Sequence, residues 1–311
     1  MTRKKHPIVA ITGASGAGTT VVQQAFKEIF FRQGTRATFV HGDSFFRYDQ
    51  GEMCIKIAEA EQQGRSISTY GPELNDFEGL ESLFKQYSET GTGKIRHLVT
   101  DDNADKFQQP IGSFTEWEDI SQESDLLFYE GMHGGVVAEH WSRRKMSPSH
   151  NPRVIQERRR RGGKNSVDVA RYVDLLLGVV PAINLEWIQK IHNEKRCRNL
   201  STEEITANIL GRLEDYIHFI VPQFSVTDIN FQRMPVVDTS NPFIARDVPT
   251  ESESVVVARF REPEKYDFPH FLKRIHNSFM SRRNTLVIPG GEMKNALDVI
   301  CAPIVERCCR R

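Results

Sequence analysis

The sequence predicts an α/β protein with a mixed, mostly parallel sheet flanked by helices, and three stretches predict it. Pro7 to Thr12 is a short apolar run rich in β-branched residues. It leads into Gly13-Ala14-Ser15-Gly16-Ala17-Gly18-Thr19-Thr20, and then into apolar positions 22, 25, 26, 29 and 30 at helical spacing. Ala37 to His41 reads as a second strand, ending at Gly42-Asp43-Ser44. Leu126 to Glu130 is a third apolar run, closing on a single acid before Gly131.

Strand, glycine turn, helix is the context of a phosphate-binding loop. Its glycines let the backbone approach an anion, and free N–H groups at the helix start point at it. Gly13 to Thr20 fits the spacing G-x-x-x-x-G-[KT]-[ST], which places the Thr20 hydroxyl to ligate Mg²⁺. Thr19 stands where the phosphate-binding lysine of that motif belongs. A nucleoside triphosphate held here therefore needs a cation from elsewhere in the chain.

The bulk numbers bound the answer. A chain of 311 residues suits one large α/β domain. Lys plus Arg and Asp plus Glu are 41 each, so whole-molecule charge gives no reason to expect nucleic acid or membrane partners. No apolar stretch is long enough to cross a bilayer, and Met1 to Lys5 leads into a strand rather than a signal-peptide core. The five cysteines (Cys54, Cys197, Cys301, Cys308 and Cys309) lack C-x-x-C spacing. That argues for reduced thiols and a cytoplasmic setting, not for zinc or a disulfide framework.

Each remaining element follows in order. Asp43, at the carboxyl end of the second strand, faces the crevice where parallel sheets bind ligands. It either accepts a proton from an attacking hydroxyl or caps the next segment. Residues 52–64 read as an amphipathic helix with Ile55, Ile57 and Ala58 on its apolar side. A second runs from Leu74 to Tyr87 with Leu80, Leu83 and Phe84 inward, and Glu89 to Gly93 is a turn. Asp101 and Asp102 either approach the site or lie on a solvated loop, and 103–124 is a polar excursion. Glu130 ends its strand as a Walker-B-like acid does, reaching Mg²⁺ directly or through water. His133, among three glycines, is a turn residue or touches substrate.

Residues 139–166 crowd Arg143, Arg144, Lys145, Arg153, Arg158 to Arg161 and Lys164 into one segment. It is a basic surface insertion that either binds a polyanion or is solvated. Val173 to Pro181 is a core strand, and Asn184 opens a helix carrying Lys190, Lys195 and Arg198. Lys190 is the first candidate to replace the missing loop lysine, the alternative being a solvated helix face. Ser201 and Glu204 form a capping-box pattern for a helix to His218. Val255 to Phe260 and Thr285 to Gly290 read as strands, and Met293 to Cys309 as a closing helix.

These residues resemble the phosphoribulokinase family of the proteobacterial type. The likeness includes the lysine-less loop, Leu126 to Gly134, Val179-Val180-Pro181 and Glu186-Trp187-Ile188-Gln189-Lys190. It continues through Pro222-Gln223-Phe224-Ser225, Thr227 to Arg233 and Val237 to Phe243. It implies a single P-loop kinase domain over 1–311, and transfer of the ATP γ-phosphoryl to the 1-hydroxyl of ribulose 5-phosphate. It implies Asp43 as catalytic base, Glu130 as metal-site acid with Glu194 as a further ligand, and Lys190 as phosphate-neutralising cation. Arg47 and Arg198 fall in the sugar-phosphate region. Arg32, Arg259 and Arg282 match positions that bind an allosteric effector, NADH, and a homo-oligomer is implied.

The sequence departs from that pattern at several acceptor and metal positions. Phe46 replaces a histidine, Gln50 an arginine and Thr100 a histidine, while Asn193-Glu194 stands for Arg-Asp. Those changes leave open a kinase for another sugar phosphate or a nucleoside, or a nucleotide-binding regulatory pseudokinase.

Overall fold

A computed structural model describes residues 6–13, 19–139, 166–198 and 200–310. Its strands in chain order are β1 (Ile8–Gly13), β2 (Ala37–His41), β3 (Lys94–Ile95), β4 (Glu118–Asp119), β5 (Leu126–Gly131) and β6 (Val137–Glu139). They continue as β7 (Ser166–Asp168), β8 (Leu175–Pro181), β9 (Ile229–Pro235), β10 (Ser254–Phe260), β11 (Phe279–Arg282) and β12 (Thr285–Pro289). The helices are α1 (Thr19–Gln33), α2 (Gln50–Gln62), α3 (Phe77–Thr90), α4 (Ala104–Phe107), α5 (Ile183–Arg198), α6 (Thr202–Asp215), α7 (Phe268–Arg274) and α8 (Met293–Cys309).

The main sheet has eight strands in the order β11-β12-β10-β9-β8-β1-β5-β2. From β2 to β9 neighbours run parallel, and β10, β12 and β11 are appended antiparallel. Thr12 is in register with Gly131 on one side and Gly178 on the other, so the carboxyl ends of the parallel strands form one edge.

β1, β5 and β8 read as unbroken apolar runs because both faces are covered. Val9, Ile11, Leu177, Phe231 and Ala258 pack with Phe26 and Ile29 of α1 and Leu297, Ile300 and Val305 of α8. Ile8, Ala10, Leu127 and Leu176 point the other way, against Leu80, Leu83, Phe84 and Tyr87 of α3. A third, separate cluster joins Ile191 of α5 to Ile205 and Ile209 of α6, with Trp187 and Leu200 against it.

Local chemistry sets the ends of the elements. Ser201 and Glu204 form the expected reciprocal cap, with bonds of 3.2 and 2.8 Å. The helix they start stops at Asp215, and a π-turn over Tyr216–Ile220 follows. α3 begins at Phe77, where Asp76 accepts from the Gly79 N–H, and ends at Gly91 with φ of 70°. α2 forms as expected but presents a different face. Ile55 is 58% exposed and Ala60 is its buried residue, because a short apolar set at 55, 57 and 58 finds no sheet beneath it.

Asp101 and Asp102 lie exposed in a turn, the solvated alternative. The excursion from 103 to 124 folds back instead of wandering: β3 pairs with β4, and Leu98 bridges Phe114. Most of the basic segment lies outside the described residues. At its ends β6 and β7 pair antiparallel with Glu139 opposite Ser166, so the chain leaves and returns at one place.

Candidate active site

Gly13 closes β1 at the ligand edge. A Cβ there would fall onto the Val179 carbonyl oxygen, so only glycine lets β1 and β8 run this close before the loop. Ala14, Ser15, Gly16, Ala17 and Gly18 lie outside the described residues, as do the side chains of Thr19, Thr20 and Arg198.

Two strands away, β2 ends and the chain turns through a short 3₁₀ segment, Gly42–Phe45, that carries Asp43. Burial raises the Asp43 carboxyl above the usual carboxylate range, with His41 partly opposing the shift. Gly42 and Gly131 meet backbone to backbone, and the Tyr129 hydroxyl lies against both. The backbone N–H of His133 donates to that hydroxyl. Burial pushes the Tyr129 phenol far above its ordinary value, and the charges of Asp43 and Glu130 push it further. Glu130 is buried on β5, opposite His41 on β2 and Ile11 on β1. The two acids read from the sequence thus come from adjacent strand ends around one tyrosine.

The glycine-rich loop after Glu130 is held by a residue without an assigned role in the sequence, Gln223. Its Oε1 accepts from the Thr12 hydroxyl at 2.7 Å and the Gly135 N–H at 2.9 Å. Its Nε2 donates to the carbonyls of Met132 at 2.8 Å and Phe219 at 2.7 Å. One buried amide therefore ties the end of β1 to the loop beyond β5. His133 is the turn residue of the two alternatives. It is buried against Phe77, and Nε2–H donates to the Tyr70 carbonyl at 3.0 Å.

Lys190 lines an open pocket between α5 and α6, together with Tyr70, Glu186, Trp187, Arg212 and Tyr216. The Tyr216 hydroxyl donates to Glu186 Oε2 at 3.3 Å. Burial raises the Glu186 carboxyl, opposed by that hydrogen bond and by the Lys190 charge one helical turn on. Burial also pushes the Tyr70 phenol up to about 12. Arg47 is engaged by the Pro72 carbonyl at 3.1 Å and Glu78 at 3.1 Å, with Asp76 at 3.7 Å. Glu194 is half-buried one turn beyond Lys190 on α5.

Among the described residues no three His, Cys, Asp or Glu side chains gather to hold an ion by themselves. A hard cation bound through one or two carboxylate oxygens and completed by phosphate and water fits this edge, where Glu130 stands beside the end of β1.

Arg32, Arg259 and Arg282 do not converge within one chain. Arg32 on α1 pairs with Asp298 on α8. Arg259 lies on the face of β10 turned away from α8 and donates to the Phe224 carbonyl at 3.0 Å. Arg282 on edge strand β11 is in register with Thr285, as is Arg259 from the other side.

Comparison with known proteins places this geometry. The family described as Phosphoribulokinase / Uridine kinase matches residues 8–147 and 156–240. The interruption falls within the basic segment. The chromosomal phosphoribulokinase of Cupriavidus necator is 49% identical over 310 residues, spanning 99% of this chain and 97% of that one. The phosphoribulokinase of Sinorhizobium medicae is 46% identical over 308 residues, with 99% and 97% covered. The solved structure of phosphoribulokinase from Rhodobacter spheroides superposes with a TM-score of 0.84 at 43% identity, covering 99% of this chain and 98% of that one.

Proposed function

Because the chain belongs to the phosphoribulokinase / uridine kinase family, we propose that it transfers the γ-phosphoryl group of ATP to the 1-hydroxyl of ribulose 5-phosphate. The observation that carries this reading is a half-buried aspartate, Asp43, of raised proton affinity, on a glycine-tethered turn beside Glu130 at the ligand edge. Full-length likeness to proteins named phosphoribulokinase supplies the acceptor.

Phosphoryl transfer asks a protein mainly for positioning and charge stabilisation. The N–H groups of Gly13 to Thr20 hold the donor phosphates. Asp43 accepts the proton of the acceptor hydroxyl as the oxygen attacks, and its raised proton affinity suits that task. Lys190 neutralises charge on the transferring group, in place of the loop lysine that Thr19 displaces. Thr20, Glu130 and Glu194 would hold Mg²⁺, which when bound would neutralise phosphate charge. Arg47 and Arg198 receive the acceptor's own phosphate.

The second reading, another acceptor, draws support from Phe46. Its ring is buried and its backbone bridges Asn75, so this position offers the acceptor no hydrogen bond. Turnover across a panel of pentose phosphates and nucleosides separates the two, preference for ribulose 5-phosphate selecting the first.

The homo-oligomer is part of the proposal and is supported by the open face of the antiparallel strands. Val255, Val257 and Val287 are half-buried there, with Phe279 56% exposed beside them. NADH as effector then requires a site completed by a second copy, since Arg32 and Arg259 sit on opposite sides of one sheet.

Asp43→Asn tests the core of the reading. Turnover should fall about 10²- to 10⁴-fold, while ATP binding followed by calorimetry stays as in the parent. Full turnover in the variant would remove Asp43 from the mechanism.

A further inference from the structure

Arg96 follows β3 in the chain, yet its side chain reaches the turn that carries Asp43. Nε donates to the Ser44 carbonyl at 3.0 Å, and Nη2 to the Phe46 carbonyl at 2.6 Å. The guanidinium lies 3.6 Å from the centroid of Phe114 and 4.9 Å from that of Trp117. Trp117 in turn meets Phe45 edge-on at 6.5 Å. Packing against two rings with a fork of donors in one direction is a geometry available to arginine and not to lysine.

The opposite side of the same segment is also held. The Asp76 N–H donates to the Phe45 carbonyl at 2.7 Å, and the Arg47 N–H to the Leu74 carbonyl at 3.0 Å. The carbonyls of Ser44, Phe45 and Phe46 are thus each engaged, and Gly42 is pressed against Gly131 just before them. Asp43 sits between these anchors. Its direction is set by backbone that Arg96 holds, because a carboxylate two bonds from Cα follows its own Cα closely.

Charge is not the route. The acid–base behaviour of Asp43 follows from burial and from His41. Tyr129 of β5 lies close enough to feel its charge. The carboxylate whose charge acts on Arg96 is Asp76.

We propose that Arg96 is a positioning residue for Asp43: by clamping the Ser44 and Phe46 carbonyls it aims the carboxylate at the acceptor hydroxyl. This inference rests on the reading of Asp43 as base. It also gives the excursion after residue 103 a task, since Phe114 and Trp117 pack against the guanidinium.

The test compares Arg96→Ala and Arg96→Lys with the parent in full steady-state kinetics over pH, with and without guanidinium ion added. Misaiming a base by about 1 Å can lower the rate about 10²-fold. We expect Arg96→Ala to lose about 10- to 100-fold in kcat with KM for ATP within about twofold, and an acid limb at the parent's pH. Added guanidinium ion should restore part of that loss, and Arg96→Lys should fall between. If Arg96→Ala does not fold, Arg96→Lys carries the same comparison.

Three results overturn the proposal: unchanged kcat in the alanine variant, a loss confined to KM, or an acid limb that moves with the loss. Asp43→Asn, measured alongside, keeps two failures apart. If it retains turnover, the base assignment fails. If it is inactive while Arg96→Ala turns over at the parent's rate, only the positioning role fails.

Discussion

His133 lies under the loop after Glu130, its Nε2–H given to the Tyr70 carbonyl and its ring against Phe77. Burial pulls its pKa down to about 4, so the ring is neutral throughout the physiological range. The folded state therefore binds fewer protons here than the unfolded chain between roughly pH 6.5 and 4, where the unfolded histidine titrates. Stability rises with pH through that window and is lost as pH falls through it. The loss from this residue amounts to about 3 kcal/mol at the low end. His133→Gln keeps an N–H donor without a titrating ring. Urea unfolding at both ends of the window should show a smaller drop for the variant. Asp43 and Glu130 were legible in the sequence because each ends or follows an apolar run. Arg96 was not, since its partners Ser44 and Phe46 lie 52 and 50 residues earlier. No local pattern records such a contact.

Among the elements, the loop from Gly131 to Val136 depends most on a distant residue. Gln223 fills all four of its hydrogen-bonding positions with groups from β1, the loop and the π-turn. Gln223→Leu keeps volume but leaves buried donors and acceptors unmatched, each worth about 1–3 kcal/mol. We expect a loss of about 2–4 kcal/mol in denaturant unfolding, with weaker ATP binding because the loop end and Thr12 loosen together. Long periodic elements were legible: α1, α3 and α8 and strands β1, β2, β5, β8, β10 and β12 all form where apolar spacing put them. β9 and β11 were not read as strands. Asn230, Gln232 and Arg233 break the apolar run of β9, and β11 is a four-residue edge strand whose register shifts after Met280. α2 shows the converse, a correct helix with the wrong inward face.

At the scale of the molecule, the sheet divides into two kinds of surface. The parallel half has helices on both faces and brings its strand ends to the edge where the proposed site lies. The antiparallel half is covered on one face by α8 and leaves Val255, Val257, Val287 and Phe279 on the other. Apolar strips of this kind mark interfaces between chains. If the proposed homo-oligomer forms through this face, Val257→Asp should reduce the mass seen by light scattering, with thermal stability of the subunit shifted little, because Val257 points away from the packed core. Unaltered mass would remove this face from the proposal.

The small cluster of Ile191, Ile205 and Ile209 has a consequence of its own. It contains no residue of the main sheet, so the pair α5–α6 carries a private apolar centre. Further ties hold the pair down: Ser66 to the Gly211 carbonyl, the buried bond of Ser68 to Asp215, His192 to the Ala245 carbonyl and Trp187 on Phe243. Each such tie is worth about 1 kcal/mol net. Lys190, the cation proposed to stand in for the loop lysine, lies on a helix whose packing is shared between that cluster and the buried Leu185 and Ile188. The proposed placement of its charge thus depends on this small cluster as well as on the sheet.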